Sequence, residues 1–256
     1  MTDDLPFKLP RVSPKARERA ARLLAMLDQH WSHTHCELTF TTPHELLIAT
    51  ILSAQATDAS VNKATPALFA AFPTPAHYAR ATPADIEPYI KSIGLYRNKA
   101  KAIHAAMTTL VQRFGGHVPR SMDELLTLRG VARKTANVVL GNAFHIHMGI
   151  PVDTHVTRLA QRFALAPQGA TVAAIERTLM ALFPRERWGD LSHMLIWHGR
   201  YQCKARGARC DDHPICQAFG DRCECRTPPK PTRKPTGKPI SQSRTKPAAP
   251  RRKTSD

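Results

Sequence analysis

Long hydrophobic runs are missing from this sequence of 256 residues. No stretch of about 18 apolar residues occurs, so we expect no membrane-spanning helix and no membrane partner. The N-terminal segment, residues 1–20, has no apolar stretch after a basic start, which a secretory signal would need. We therefore expect a cytoplasmic protein.

Alternating strand patterns and repeat periods are missing as well. Helical periodicity runs through most of the chain instead, and in its first segment Leu23, Leu24 and Leu27 share one face. Ser-Pro or Thr-Pro pairs mark two helix starts, and Asp153 marks a third. The sequence predicts an all-α protein of nine or ten helices.

Acidic residues are scarce relative to basic ones. The chain has 20 Asp and Glu against 37 Lys and Arg, which gives a formal charge of +17 and a pI of about 10.2. Residues 226–256 carry +9 of this charge and seven prolines. Such a segment buries too little apolar area to fold, so it predicts a disordered basic tail, and residues 1–12 are also expected to be flexible. The remaining +8 favours a nucleic-acid partner.

Cysteine is confined almost entirely to one segment. Of six cysteines, five lie between residues 203 and 225, and Cys36 stands alone. In a cytoplasmic protein, crowded thiols are typical of metal ligands more than of disulfides. Cys36 is interpreted as an ordinary, inert thiol.

Residues 121–143 form a candidate helix-hairpin-helix. Ser121 and Glu124 predict a capping box on the first helix, which stops at Gly130, and a second apolar helix follows at once. A glycine turn before a helix start exposes backbone N–H groups that can bind phosphate. A plain helix–helix corner is the alternative, but the basic body favours DNA binding.

Five separated motifs resemble a known family. They follow one another between residues 36 and 210: LLIATILSAQATDASVNKA, IKSIGLYRNKAKAI, RGVARKTANVVLGNAF, VDTHVTRL and HGRYQCKAR. In this order they are similar to the endonuclease III family of helix-hairpin-helix DNA glycosylases. The resemblance implies an enzyme that removes oxidised pyrimidines from double-stranded DNA and cuts the strand at the abasic site by β-elimination. We expect a monomer, associated with the nucleoid, whose partner is DNA with damaged bases or abasic sites.

By this resemblance the catalytic lysine is Lys134 and the catalytic aspartate is Asp153. A lysine attacks only as a neutral amine, which burial and the positive end of a helix dipole both favour. Lys134 stands near a helix start among apolar neighbours. The alternatives are a solvated surface lysine and a plain helix N-cap. Asp153 is expected to cap with one oxygen and face the sugar with the other.

Two further positions are implied to act on the DNA stack. By resemblance, Gln55 fills the gap left by a flipped nucleotide and Leu95 wedges the opposite strand. The alternatives are that Gln55 caps a helix end and that Leu95 is a core residue. Lys91, Arg97 and Lys99 near Leu95 would suit phosphates, although a charge-rich turn is usually only solvated.

The hairpin turn departs from the family pattern. Where the family has Leu-Pro-Gly-Val-Gly, this chain has Leu128-Arg129-Gly130-Val131-Ala132. Gly130 and Ala132 are expected to contact DNA phosphate through backbone N–H groups, provided that the φ of Ala132 is negative. A positive φ there would cost on the order of 1 kcal/mol. Because Arg129 replaces a rigid proline, we expect lesion affinity to differ from that of relatives.

The cysteine segment departs further. The family's iron–sulfur loop has the spacing C-x6-C-x2-C-x5-C, of which Cys203 and Cys210 keep the first step. The third and fourth positions fall on His213 and Phe219. Four thiolates suffice for a [4Fe-4S] cluster. The expected ligands are Cys203, Cys210, Cys216 and Cys223. Cys225 as the fourth ligand, His213 as a ligand, and zinc as the metal are the alternatives.

The loop between the first two of these cysteines is basic. It contains Lys204, Arg206 and Arg209. We expect these side chains to contact the DNA backbone whichever metal is bound.

The predicted architecture has two lobes. Residues 36–147 form a helical barrel that carries the hairpin, and residues 13–35 join residues 148–225 around the iron–sulfur loop. The cleft between the lobes is expected to place Lys134 opposite Asp153.

Two other functions are considered. An adenine-excising mismatch glycosylase of the same superfamily lacks the lysine nucleophile and has an extra C-terminal domain, for which the tail is too short and too polar. A non-catalytic DNA-binding protein could keep the hairpin, but it would not need both Lys134 and Asp153.

Overall fold

The structure, a computed structural model, describes residues 5–208, 210 and 212–223. Within this part every regular element is helical and no strand occurs, which confirms the predicted all-α fold. The α-helices, in chain order, are α1 (Pro14–Trp31), α2 (Pro43–Leu52), α3 (Asp58–Ala71), α4 (Pro75–Arg80), α5 (Pro83–Ile90), α6 (Tyr96–Phe114), α7 (Met122–Leu126), α8 (Arg133–Phe144), α9 (Thr154–Arg162), α10 (Val172–Leu182), α11 (Trp188–Trp197) and α12 (Pro214–Phe219). A 3₁₀ turn, Arg185–Arg187, precedes α11, and a π-helical turn, His198–Gln202, follows it.

The described residues hold twelve α-helices rather than nine or ten. Part of the difference lies in short helices, because α4 and α12 have only six residues each and are too short to show a 3.6-residue period. Local start signals are nevertheless present at α4 and at the next helix, α5. Thr74 precedes Pro75 at α4, and Thr82 precedes Pro83 at α5, where proline loses no hydrogen bond in the first turn.

Helix caps follow the sequence in most places. Ser13 accepts a hydrogen bond from the backbone N–H of Ala16 at 3.2 Å, as its position before Pro14 predicts. The predicted capping box at Ser121 is wrong, because Ser121 is the N-cap of α7 but its side chain makes no capping hydrogen bond. Helix α7 also ends at Leu126, four residues before Gly130. This single turn depends on packing instead of capping.

The buried apolar residues fall into two cores. One core contains buried residues from Leu38 to Leu140 and lies among α2, α3, α5, α6 and α8. The other combines α1, from Ala20 to Leu27, with buried residues between Ile150 and Cys223. The chain therefore leaves the second core after α1 and returns to it after α8. The boundaries of the predicted lobes stay a prediction.

Helix α2 is the centre of the first core. Its residues 46–52 are all buried, and it packs against α3, α6 and α8. Among the described helices, none is both long enough and apolar enough to cross a membrane. The predicted basic tail, residues 226–256, and Cys225 lie outside the described residues.

Candidate active site

A cavity of about 300 Å³ opens between the two cores. Lys134 and Asp153 both line it, together with Asp58 from the start of α3. His35 and Trp197 also line it. The two residues implied to be catalytic thus reach one cavity from different helices.

Lys134 is the second residue of α8, whose N-cap is Ala132. Its side chain is exposed at the cavity, so the expectation of a buried lysine among apolar neighbours is wrong. Lys134 does lie near a helix start, as predicted, among the backbone N–H groups of the first turn of α8. Val131 and Ala136 are buried in the core, whereas Lys134 is not.

The start of α8 is anchored by a buried carboxylate. Arg133 donates through Nε to both oxygens of Glu176 at 3.0 Å, and through Nη2 to the carbonyl of Met148 at 3.0 Å. Asn137 donates to Oε1 of Glu176 at 3.0 Å, one turn further along α8. Gly149 allows this approach, because a Cβ at that position would collide with the same carboxylate. Helix α10, which carries Glu176, therefore fixes the position of Lys134.

Asp153 is the N-cap of α9. Its Oδ1 accepts a hydrogen bond from the backbone N–H of Val156 at 2.8 Å, and the side chain is half-buried beside the cavity. The expected cap is thus present. One oxygen, Oδ1, is therefore committed to the helix.

Gln55 and Leu95 both lie in exposed turns with a left-handed backbone. Their φ angles are 57° and 60°, a region that non-glycine residues seldom occupy. Helix α2 ends at Leu52 with Ser53 as its cap, so the alternative that Gln55 caps a helix end is wrong. Leu95 is 61% exposed, so the alternative that it is a core residue is wrong too.

The hairpin turn connects α7 to α8. Val131 donates its backbone N–H to the carbonyl of Leu128 at 3.2 Å, and Gly130 has the positive φ, 83°, that such a turn demands. Leu128 and Val131 are buried, whereas Gly130 and Ala132 face solvent. The φ of Ala132 is −102°, so alanine in place of the family's second glycine is not strained.

Four cysteines converge beneath the C-terminal helices. Cys203, Cys210, Cys216 and Cys223 are buried, are not joined in disulfides, and have sulfur atoms that all lie within 4.8 Å of one another. The donor set therefore suits a metal site. A tetrahedral zinc ion with bonds of about 2.3 Å would hold its sulfurs about 3.8 Å apart, and Cys203 and Cys223 have this separation, 3.8 Å. Four thiolates serve an iron–sulfur cluster equally, so sulfur positions alone do not select the metal.

The surroundings of this site favour a thiolate at Cys203. Hydrogen bonds from the thiols of Cys216 and Cys223, together with the Arg162 guanidinium, hold the pKa of Cys203 well below its usual range. The pKa of Cys216 is raised, because its thiol donates a hydrogen bond to Cys203 and so holds its proton. His198 lies 3.3 Å from Cys216 Sγ through Nε2 and receives the indole N–H of Trp31 on Nδ1.

The third family position, His213, is half-buried. Its ring nitrogen lies within 4.8 Å of the ligand atoms of His198 and Cys216, so a histidine ligand is sterically possible. Lys204 and Arg206 of the basic loop are exposed, and Arg209 lies outside the described residues.

Comparison with known proteins gives one consistent result. Residues 48–185 match the family described as HhH-GPD superfamily base excision DNA repair protein. Endonuclease III of Synechocystis sp. is 47% identical over 204 residues, which cover 80% of this chain and 93% of the relative. Two solved structures, a non-covalent Endonuclease III–DNA complex and a trapped Endonuclease III–DNA covalent intermediate, each align with a TM-score of 0.77 and 40% identity, over 82% of this chain and 97% of theirs.

The chain belongs to the endonuclease III family. The family resemblance and the enzyme class predicted from the motifs, a base excision repair DNA glycosylase and lyase, are confirmed. The helix-hairpin-helix architecture is confirmed with them.

Asp58 is a cavity residue that sequence reasoning missed. Burial raises the pKa of its carboxyl group; the charge of Lys134 lowers it, that of Asp153 raises it, and His155 lowers it. Arg200 donates through Nη2 to Asp58 Oδ2 at 2.7 Å and also pairs with Glu37. In this endonuclease III family member, a second carboxylate besides Asp153 therefore lies within electrostatic range of Lys134. The signal in the sequence that could have indicated Asp58 is its position in the same family-like motif as Gln55, three residues later.

Lys99 differs from what its sequence neighbourhood indicates. Its side chain is buried, 6% exposed, and Nζ donates to the carbonyls of Leu52 at 2.8 Å and Ala54 at 2.6 Å. Burial lowers the pKa of Lys99. It is therefore not placed to bind phosphate, whereas Lys91 and Arg97 are exposed.

Proposed function

We propose that this enzyme excises oxidised pyrimidines from double-stranded DNA and then cuts the abasic strand, with Lys134 as the nucleophile and Asp153 as the assisting carboxylate. The observation that carries the proposal is that both side chains, from the starts of two helices, line one cavity. A nucleotide flipped into that cavity would present its C1′ to both. Because the proposed substrate is DNA, the enzyme would act in the cytoplasm at the nucleoid.

The chemistry begins at C1′. Asp153 stabilises positive charge on the sugar while the neutral amine of Lys134 attacks C1′, and the base departs with the bonding electrons and takes up a proton. The nitrogen then gives up one proton, O4′ leaves C1′ with the bonding electrons and takes up a proton as a hydroxyl group, and a protonated imine remains between Lys134 and C1′. Loss of the C2′ proton then expels the 3′ phosphate with its electron pair, and hydrolysis of the imine frees the lysine.

Exclusion of water is assigned to the DNA. Because Lys134 is exposed, the protein alone does not desolvate its side chain. Bound DNA would cover the cavity mouth, and the neutral amine is the form that a water-excluded site favours. The lysine would thus become a nucleophile only where a substrate is seated.

DNA is held at three places in this proposal. The backbone N–H groups near Gly130 and Ala132, exposed at the start of α8, bind a phosphate. Lys204 and Arg206 contact the backbone from the cysteine loop. Exposed Gln55 and Leu95 enter the base stack, Gln55 in the gap and Leu95 against the opposite strand.

The metal proposed for the four cysteines is a [4Fe-4S] cluster. Cys203, Cys210, Cys216 and Cys223 would hold it, and their buried, convergent thiols support this set. The cluster would link α12 to the loop between Cys203 and Cys210. It would thereby orient the basic side chains of that loop, Lys204 and Arg206, toward DNA. No step at C1′ involves it.

A substrate panel tests this function. Duplexes that contain an oxidised pyrimidine, an abasic site, or adenine opposite guanine are incubated with the full-length protein. Cleavage of the first two, and not of the third, is expected. Removal of adenine without strand cleavage would identify a mismatch glycosylase, and tight binding without any reaction would identify a non-catalytic DNA-binding protein.

A further inference from the structure

Lys99 is the one fully buried lysine in the described part of the chain. Its ammonium group donates to the carbonyl of Leu52, the last residue of α2, and to the carbonyl of Ala54. Unpaired carbonyls at a helix end carry partial negative charge, which suits a cation. A buried charge is otherwise costly, so these two contacts account for its position.

These contacts join two turns that are distant in sequence. Ala54 directly precedes Gln55, and Lys99 lies in the first turn of α6, four residues after Leu95. The ammonium therefore ties the Gln55 turn to the helix that begins at Leu95. The Leu95 turn has no side-chain cap of its own, since Leu95 is a left-handed N-cap without a capping hydrogen bond.

The hairpin turn at Gly130 packs against the same parts of α2 and α6. A Cβ added to Gly130 would lie 3.1 Å from the Cβ of Ala102 and 3.7 Å from Cγ2 of Ile51. Ala102 is three residues after Lys99 on the same face of α6, and Ile51 directly precedes Leu52. The turns that carry Gln55, Leu95 and Gly130 are thus packed around one short piece of α2 and α6.

The backbone at both wedge turns needs such support. Gln55 and Leu95 adopt left-handed φ values that are costly for residues with a Cβ and persist only where the surroundings impose them. Leu95 is also exposed, so packing of its own side chain does not hold its turn. The Lys99 ammonium is the polar group that reaches from one turn to the other.

We propose that Lys99 is a positioning residue that sets the spacing between the Gln55 and Leu95 turns, so that both enter the DNA stack together. The inference rests on the proposed function, in which these two residues act on the stack. Lys99 itself touches no DNA. Its role is to keep two strained turns in register before the duplex is bound.

The direct test is Lys99→Met, with Lys101→Met as the matched control. Methionine keeps the length and apolar stem of lysine but cannot donate, and Lys101 is exposed on the same helix. Single-turnover excision of an oxidised pyrimidine from a duplex should fall about tenfold to a hundredfold in Lys99→Met and stay within about twofold in the control. 2-Aminopurine opposite the lesion should gain fluorescence with the control and much less with Lys99→Met.

A second substrate separates positioning from damage to the fold. Cleavage of an abasic site in a single strand needs no opening of a stack, so Lys99→Met should retain it within about threefold. Equal excision by both variants, or equal losses on duplex and single strand, would overturn the proposal. If the wild-type enzyme cleaves neither substrate, the proposed function fails, which is a different result.

If Lys99→Met does not fold, a double-mutant cycle decides. Gln55→Ala and Leu95→Ala are combined in the otherwise unaltered protein, and duplex excision is measured. Two turns held as one unit should give a combined loss clearly smaller than the product of the single losses. Losses that simply multiply would show that the turns act independently and would contradict the role of Lys99.

Discussion

Lys134 and Asp153 stand at the starts of two different helices and line the same cavity. Each helix start is held by a contact of its own. Glu176 anchors Arg133, the residue before Lys134, and the backbone N–H of Val156 donates to one oxygen of Asp153. Lys134 and Asp153 can therefore be altered one at a time without removing the helices that carry them.

Asp153→Asn should leave the fold intact and stop most of the chemistry. Asparagine is as good an N-cap as aspartate, so the free energy of unfolding should change by well under about 1 kcal/mol. The lost negative charge acts in the transition state, so single-turnover base excision should slow by about 10²- to 10⁴-fold. Asp153→Ala should lose the cap as well, by about 1 kcal/mol in urea unfolding. Excision by Asp153→Asn at a rate close to wild type would remove Asp153 from the mechanism.

Glu176→Gln should weaken the anchor of α8. The buried carboxylate accepts from Arg133 and Asn137, and the neutral amide loses its charge-assisted bonds to Arg133. Unfolding in urea should show a loss of about 1.5–3 kcal/mol. The exposed Glu18→Gln serves as the control and should change stability by no more than about 0.5 kcal/mol. Two variants of equal stability would mean that Glu176 does not hold the helix.

Metal analysis should find about four iron atoms per chain and little zinc in protein made under iron-replete, anaerobic conditions. The protein should be yellow-brown. Cys216→Ala should lose iron and destabilise the second core, because its sulfur lies among the other three. Cys36→Ala should keep its iron, since Cys36 packs against the first core. Stoichiometric zinc would identify a zinc site instead.

His213→Ala distinguishes the two possible third ligands. His213 occupies the family's third position in sequence, but Cys216 is fully buried among the other sulfurs. Iron content should therefore be unchanged in His213→Ala. Loss of iron in this variant would assign the third ligand to the histidine.

Deletion of residues 226–256 should reduce non-specific affinity and little else. The segment carries +9, and each phosphate that it neutralises adds a slope of roughly 0.9 to the fall of log K with log salt. The truncated protein should show a shallower slope in binding to undamaged duplex, with single-turnover excision nearly intact. An unchanged slope would mean that the tail does not touch DNA.

The parts of the fold that the sequence predicts are those with local causes. Ser13 and Asp153 each accept from an N–H group three residues away, so their caps can be predicted from neighbouring residues. Ser121 has the same local pattern and yet makes no cap, because α7 is a single turn held by the packing of Met122 and Leu125.

The parts that could not be predicted depend on contacts between distant segments. Lys99 sits in a charge-rich turn, but the end of α2, 47 residues earlier, buries it. Lys134 has apolar neighbours in sequence, and Val131 and Ala136 are buried while the lysine stays at the surface. In sequence, Asp58 resembles an ordinary acidic residue in the first turn of a helix. Its contact with Arg200, 142 residues later, is present only in the folded chain. Sequence spacing on a helix does not report such partners.

The most direct test of the account is borohydride trapping on an abasic-site duplex. Borohydride reduces an imine, so the wild-type protein should be trapped covalently on the DNA in high yield. Lys134→Ala should fold and bind the duplex, because the side chain is exposed and such changes cost about 0.5 kcal/mol or less, but it should not be trapped. Lys134→Arg should fail as well, since a guanidinium stays protonated and forms no imine, whereas Lys101→Ala should be trapped like wild type. Efficient trapping of Lys134→Ala would place the nucleophile elsewhere and contradict the assignment of the chemistry to α8.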